Sequence, residues 1–307
     1  MNSTVAMLEA VSKRYGRHRA IERVDFTMRA GERVALVGHN GAGKSTLIKL
    51  MLGLIRPSEG CVEVLGADPG SRASGVARRS IGFLPENVVF HPSATGAELL
   101  AFYARLKRQP VASNPALLER VGIADAASRR VGTYSKGMRQ RLGLAQALIG
   151  RPRVLLLDEP TTGLDPALRQ SFYRIVGELA ADGAAVLLSS HALAELENTT
   201  DRVVVLDHGL VVADGALTEL RRRSEAPTRI RVTLTDAHAA IGPGLPRGNI
   251  AWARISDVVW EASCPELAKV EALRDILGTA LPLADIAVIP PSLDQIYAGF
   301  LDRKAAE

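Results

Sequence analysis

Nine residues, Gly38-His39-Asn40-Gly41-Ala42-Gly43-Lys44-Ser45-Thr46, constrain this chain more than any other stretch. They fit the pattern G-x-x-x-x-G-K-[ST] at every fixed position. The apolar run Val34-Ala35-Leu36-Val37 before them reads as a buried strand, and Leu47-Ile48-Lys49-Leu50-Met51-Leu52 after them reads as a helix. Strand, glycine loop and helix together form the context that this pattern requires. Glycines let backbone N–H groups turn inward around phosphate oxygens, and the helix N-terminus adds its positive dipole end. Lys44 then reaches the β- and γ-phosphates, while the Ser45 hydroxyl is a ligand for Mg²⁺. A dinucleotide loop fits poorly, because Lys44-Ser45-Thr46 stands where a third small residue is wanted. The stretch predicts a nucleoside triphosphate site, with ATP and Mg²⁺ as its occupants.

A second half of that site is expected far downstream. Val154-Leu155-Leu156-Leu157 is an apolar strand that ends in Asp158-Glu159-Pro160, delivering two carboxylates at its C-terminal edge. Ligands of open α/β sheets sit at that edge. Asp158 is the expected partner of Mg²⁺, and Glu159 the expected base that polarises the attacking water. Between the two halves, Tyr134-Ser135-Lys136-Gly137-Met138-Arg139-Gln140-Arg141 opens with an N-cap serine and continues as a helix through Ile149. Met138, Leu142, Ala145 and Ile149 fall on one face of it.

With this serine–glycine helix start a short distance before the acidic strand, residues 7 to about 220 resemble one ATPase of the ATP-binding cassette (ABC) family. The resemblance implies an α/β fold, a P-loop ABC ATPase with a helical subdomain over about 91–150, and it implies roles for further residues. Tyr15 matches the aromatic that stacks on adenine. Ser135, Lys136 and Gly137 match the signature motif, Asp165 in Thr162-Gly163-Leu164-Asp165 matches the D-loop, and His191 after Ala185-Val186-Leu187-Leu188-Ser189-Ser190 matches the switch histidine. Glu86 stands at the position usually held by a glutamine and is expected near Mg²⁺ with Ser45 and Asp158. The family also implies a head-to-tail homodimer, in which Ser135 and Gly137 of one copy close over ATP held by Lys44 of the other.

The variant signature and Glu86 resemble those of ATPases that drive ABC-2 type polytopic membrane subunits. Within that group, Leu84-Pro85-Glu86-Asn87-Val88-Val89-Phe90-His91-Pro92 and the tail stretch Pro291-Ser292-Leu293-Asp294-Gln295-Ile296-Tyr297 look like the ATPase subunits of NosDFY-type systems. Those systems support copper-site maturation of nitrous oxide reductase, which implies a periplasmic copper-maturation subunit reached through the membrane partner. The alternative is a generic ABC-2 exporter of drugs or polysaccharides. A soluble ABC ATPase acting on ribosomes or DNA is a weaker reading, since neither a second cassette nor a long coiled coil is present. Val88, Val89 and Phe90 are expected to line the groove that receives a cytosolic helix of the membrane subunit.

Length and composition bound the rest. At 307 residues with 47% hydrophobic content, the chain has room for a large domain, 1–223, and a small one, 224–307. No apolar run reaches a membrane-spanning length and the start Met1-Asn2-Ser3-Thr4 lacks a signal-peptide pattern, so a cytoplasmic protein, peripheral on the inner face of the cell membrane, is expected. The net charge of +5 suits an anionic membrane surface, and with aromatics at only 4% no nucleic-acid partner is expected. Cys61 and Cys264 read as small packing residues, and the six histidines and two cysteines are not expected to cluster into a metal site. Thr95-Gly96-Ala97-Glu98 reads as a capping box before Leu99, Leu100, Phe102, Tyr103 and Leu106 at helical spacing. Arg221-Arg222-Arg223 reads as a solvated helix end and Ser224-Glu225-Ala226-Pro227 as a linker. Beyond it, strands at 229–234, 257–262 and 285–289 and helices at 266–277 and 295–301, the last capped by Ser292, predict a small C-terminal α+β domain with a regulatory or docking role.

Overall fold

A computed structural model describes residues 3–162, 164–190, 196–197, 199–235, 252–279 and 281–306. The chain divides into two compact units, Met1–Asp214 and Gly215–Glu307. The first contains β1 (Thr4–Tyr15), β2 (His18–Arg29), β3 (Arg33–Val37), α1 (Lys44–Met51), β4 (Glu59–Val64), α2 (Gly75–Arg79), β5 (Ile81–Leu84), α3 (Gly96–Leu106), α4 (Asn114–Arg120), α5 (Lys136–Ala147), β6 (Val154–Asp158), α6 (Pro166–Ala181), β7 (Ala185–Ser190), β8 (Arg202–Asp207) and β9 (Leu210–Gly215).

Its main sheet runs β5-β6-β7-β3-β8-β9. The strands β3, β5, β6, β7 and β8 pair in parallel, with Val37 opposite Ser190 and Asp158 opposite Ser189. That register brings the carboxyl ends of β3, β7 and β6 into one rim, where an open parallel sheet presents its ligand crevice. β3, β6 and β7 are buried almost throughout, which is why they read as continuous apolar runs and not as alternating ones. A separate antiparallel sheet, β2-β1-β4, packs its inward face (Val5, Leu8, Ile21, Phe26, Met28) into the same core as α1. The hairpin between β8 and β9 closes with His208 and Gly209, at φ 47° and 82°. Two successive left-handed residues make the turn whose twist matches the flanking strands.

The helical stretch begins as its sequence implies. Thr95 accepts from the Glu98 N–H at 3.2 Å and Glu98 accepts from the Thr95 N–H at 2.8 Å, a complete capping box on α3. The face expected to be apolar is divided: Leu100 and Ala104 are buried, whereas Phe102 and Leu106 are 53% and 62% exposed. α5 ends at Ala147, short of the expected Ile149, which is buried just beyond it; Leu142 and Ala145 are buried, but so are Gly143, Leu144 and Ala147, because this helix packs on more than one side. Cys61 departs from the expected packing role. It is exposed on β4 and its thiol donates to Glu9 at 3.4 Å, while Cys264 is buried as expected.

The second unit consists of α7 (Leu217–Arg223), β10 (Thr228–Leu234), β11 (Trp252–Arg254), β12 (Val259–Cys264), α8 (Lys269–Leu277), β13 (Leu283–Ile289) and α9 (Leu293–Ala306). Its sheet order is β11-β12-β10-β13, with Ile230, Val232, Leu234, Cys264 and Ile276 in its own small core. Ser292 caps α9 as expected, accepting from the Gln295 N–H at 3.3 Å. α7 falls in this unit, so the boundary lies nearer 214 than the expected 223. The segment 224–227 is no open linker: Ser224 and Ala226 are buried, and Gly299 approaches the Ser224 carbonyl so closely that a Cβ there would lie 2.7 Å from its oxygen. Nor is Arg221 purely solvated, since its Nε donates to the Pro291 carbonyl at 3.3 Å.

Candidate functional site

The rim at the carboxyl ends of β3 and β6 opens into a cleft of about 240 Å³. Its wall contains Tyr15, His39, Asn40, Gly41, Gly43, Lys44, Ser45, Thr46, Glu86, Asp158 and Glu159, so the structure brings the two distant halves of the expected site together. Neither His18 nor Ala20 was anticipated from the sequence, yet both line this cleft. They follow from the β1–β2 hairpin, which carries Tyr15 at the end of one strand and His18 at the start of the next.

The loop after β3 is held open by local sterics. Gly43, the N-cap of α1, has φ 109°, and a Cβ there would come within 2.6 Å of the Ala20 carbonyl and 2.8 Å of Ile21 Cδ1. Only glycine tolerates both the conformation and the approach. Lys44 begins α1 and is 7% exposed, with Nζ donating to the carbonyls of Gly38 at 2.6 Å and His39 at 3.2 Å. Burial holds its ammonium below the usual lysine range, while Glu159, Asp158 and Glu86 pull in the opposite direction. Three carboxylates therefore face one buried cation across the cleft.

Asp158 and Glu159 are both buried, at 8% exposure each. Ser189 on the adjacent β7 orders them: its hydroxyl donates to Asp158 Oδ1 at 2.6 Å and accepts from the Glu159 N–H at 3.0 Å. Glu159 has φ 47°, an uncommon conformation for a side chain other than Asn, Asp or Gly. Backbone strain of this kind costs on the order of 1–3 kcal/mol and persists where surrounding structure imposes it. Here the imposing contacts are the Ser189 bond and the buried strand that ends at Asp158.

Other expected site residues lie elsewhere. Ser135 caps α5, accepting from the Met138 N–H at 3.2 Å, and neither it nor Lys136 nor Gly137 lines the cleft. Asp165 caps α6 through the Leu168 N–H at 2.9 Å and is also outside it. Ala42 and Gly38 belong to the loop's inner layer, with Ala42 fully buried. His191, and Gly163 before the D-loop aspartate, lie outside the described residues.

Of the expected coupling residues, Val89 is 85% exposed, whereas Val88 sits over α5, close enough to Gly143 that a Cβ there would meet its Cγ2 at 3.0 Å. Val88 thus packs the helical stretch and leaves the surface to Val89 and Phe90. The Phe90, Tyr103 and Phe102 rings continue that surface onto α3, with centroids 6.3 and 5.4 Å apart in succession. A further correction concerns histidine. His39 and His208 do cluster, with Asp207 between them. Their separation of 169 positions hid the pair in the sequence.

Among the described residues, no helix is long and apolar enough to cross a membrane. The ABC transporter family profile matches residues 21–162. Over 304 residues the chain is 36% identical to the doxorubicin resistance ATP-binding protein DrrA of Mycobacterium tuberculosis (strain ATCC 25618 / H37Rv), spanning 95% of this chain and 92% of that protein. It is 34% identical over 317 residues to the daunorubicin resistance ATP-binding protein DrrA3 of Streptomyces coeruleorubidus, spanning 100% of this chain and 99% of that one. A solved ATP binding subunit of an ABC transporter superposes with a TM-score of 0.67 at 33% identity, covering 71% of this chain and 92% of the other.

Proposed function

The chain belongs to the ATP-binding, ATP-hydrolysing proteins of ABC transporters, and from that membership we propose that it powers an ABC-2 type exporter of apolar, drug-like compounds. One observation carries the exporter class. The likeness to drug-resistance ATPases runs through both compact units, spanning 95% and 100% of the chain, and is not confined to the cassette that all ABC ATPases share.

The site residues take the following roles in this reading. The N–H groups of the loop from Gly38 to Thr46 cradle the ATP phosphates, and Lys44 leaves the Gly38 and His39 carbonyls to meet the β- and γ-phosphates. Tyr15, 48% exposed at the edge of the cleft, offers its ring face to the adenine. The oxygen donors Ser45, Asp158 and Glu86 share the cleft wall and suit Mg²⁺, which when bound neutralises charge on the β- and γ-phosphates. Glu159 takes the proton of the attacking water on its carboxylate. Its neighbour Ser189 keeps that carboxylate's backbone and Asp158 in fixed register throughout. His191 takes the switch-histidine role that the family resemblance gives it.

Two copies assemble head to tail, so that Ser135, Lys136, Gly137 and Asp165 of one close over the nucleotide held by the other. That arrangement accounts for their distance from the cleft of a single chain. The γ-phosphate is then the group bound only by the closed pair, and its loss reopens it. The exposed side chains of Val89, Phe102 and Leu106, with the half-buried Phe90 beside them, receive a cytosolic helix of the polytopic subunit, which holds the protein on the inner face of the membrane. The C-terminal unit serves as a regulatory or docking element.

A second reading keeps the copper-maturation role of NosDFY-type systems, supported by the Pro85-Glu86-Asn87-Val88 segment. The tail stretch Pro291–Tyr297 does not separate the two, because the drug-resistance relatives align through it. Co-purification from detergent extracts, followed by ATPase assays on the complex, tests the main reading. Turnover stimulated by anthracycline-like compounds supports it. A complex indifferent to them, in a host whose deletion strain exports nitrous oxide reductase without its copper–sulfide cluster, would establish the second instead.

A further inference from the structure

His39 in the phosphate loop and Asp207-His208 in the β8–β9 hairpin converge on one point. His39 Nε2 lies 3.1 Å and His208 Nδ1 2.7 Å from the same carboxylate oxygen, Asp207 Oδ1. One ligand atom from each of the three falls within 4.8 Å of the others, and no other group of His, Cys, Asp and Glu among the described residues does this. The two rings face each other with centroids 4.8 Å apart, tilted by 53°.

The hydrogen-bond direction at His39 defines the chemistry. Its Nδ1 is 2.7 Å from the Asn40 carbonyl, an atom that only accepts, so Nδ1 carries the ring proton. In the neutral ring Nε2 then bears a lone pair, and it faces Asp207 Oδ1, which also only accepts when ionised. Two lone pairs at 3.1 Å need a positive centre between them. A second proton supplies one, and a metal ion supplies another. We propose that His39 Nε2, His208 Nδ1 and Asp207 Oδ1 form a binding site for a divalent transition-metal ion of the Zn²⁺ class.

The donor set fits that class. Two imidazoles and one carboxylate, with the fourth position open to water, suit Zn²⁺, Co²⁺ or Ni²⁺, whereas Mg²⁺ prefers oxygen donors. Ligands about 2.1 Å from a tetrahedral ion stand about 3.4 Å apart, so the nitrogens, now 3.1 and 2.7 Å from Oδ1 and within 4.8 Å of each other, need to shift by about 1 Å or less from the carboxylate and to close on each other toward that spacing. His208 has the freedom to do so, its side chain being 77% exposed. Gly209 N–H donates to the Ala42 carbonyl at 2.9 Å, which already fastens the hairpin to the phosphate loop. Asp207, 8% exposed at the side chain, is the buried anchor. The Nδ1–H bond of His39 to Asn40 fixes which nitrogen points at the metal, as a neighbouring carbonyl does for many metal-bound imidazoles. Occupancy would staple the loop that cradles ATP to the adjacent hairpin, at a place distinct from the oxygen donors expected to hold Mg²⁺.

The test uses the full chain without nucleotide, because ATP itself chelates metal. Zn²⁺ is titrated calorimetrically in excess Mg²⁺, and Co²⁺ is followed by the visible absorption of its four-coordinate complexes. His208→Asn is the main variant, since the position is exposed and asparagine tolerates its positive φ; Asp207→Asn is the second. Metal-free melting checks that each is folded. The expected result is one Zn²⁺ per chain, a rise in Tm on Zn²⁺ addition, and a Co²⁺ band, with affinity falling at least tenfold and the band lost in either folded variant. Wild-type stoichiometry and affinity retained by His208→Asn, or no binding above the Mg²⁺ background in the wild type, would overturn the proposal.

Discussion

The side-chain amide of Gln140 on α5 donates to the carbonyl of Pro160 at 2.9 Å, with both groups buried. Pro160 follows Glu159, so this single bond joins the helix that starts at Ser135 to the turn that carries the expected base. Any displacement of α5 is thereby passed directly to the turn that carries Glu159 in the same chain.

Replacing Gln140 with Leu removes the donor and strands a buried carbonyl. Leaving such a group unmade costs about 1–3 kcal/mol. The expected outcome is a lower urea midpoint with an unchanged slope, together with reduced ATP turnover at saturating nucleotide. Wild-type stability in this variant would mean that water or a shifted backbone satisfies Pro160.

Glu159→Gln removes the carboxylate proposed to accept the proton and leaves Lys44, Ser45 and Asp158 unchanged. ATP binding is expected to persist and a nucleotide-sandwiched dimer to accumulate, with turnover falling about 10²–10⁴-fold. Lys44→Ala acts at the other end of the cleft and lowers ATP affinity itself. Size-exclusion chromatography with ATP and nucleotide titration separate the two outcomes, and wild-type turnover by the Glu159→Gln protein would remove Glu159 from the role of base.

How much of this was legible in the sequence follows from how local each signal is. The phosphate loop, the Asp158-Glu159 strand end and the Thr95 cap are all written within a few residues, where backbone chemistry dictates them. The buried strands β3, β6 and β7 announced themselves as unbroken apolar runs. Ser189 as the bridge between Asp158 and Glu159, Gln140 as the link to Pro160, and the His39–Asp207–His208 cluster depend on strand order, which periodicity does not encode. The same limit explains Val88. An apolar connector looks uniform in sequence, and only the packing over Gly143 separates its buried member from the exposed Val89. The boundary near 214 was missed because the arginine run at 221–223 looked like an ending, whereas Arg221 and the Arg223 guanidinium, 5.8 Å from the Phe300 ring, bind into the C-terminal unit.

Val89→Asp and Phe102→Asp place charges on the exposed apolar surface and touch no residue of the cleft. Both positions are more than half exposed, so stability is expected to change by no more than about 0.5 kcal/mol. Assembly with the polytopic subunit is expected to fail in pull-down from detergent extracts, while ATP binding by the isolated chain stays at the wild-type level. Retained assembly with intact transport would assign the partner to another surface.

Lys107, at the end of α3, is the least conventional cation of the first unit. Its Nζ donates to the carbonyls of Ile81 at 3.0 Å and Ile149 at 3.2 Å, tying α3 to β5 and to the end of α5. Burial pushes its pKa down from 10.5 to about 8. The sign of the stability effect follows from which state binds more protons. Below pH 8 both the folded and unfolded chains hold the proton, and the folded state bears the full cost of the buried charge. Between about 8 and 10.5 the unfolded chain still holds it while the folded chain does not, so this group's contribution to stability rises with pH across that window. Lys107→Met removes the titration. Denaturant melts at pH 7, 8, 9 and 10 are expected to show wild-type stability gaining on the variant over the upper part of that series, at less than the limiting ~1.4 kcal/mol per pH unit for one proton. A difference between the two proteins that stays flat with pH would show that the Lys107 ammonium is solvated in the folded chain.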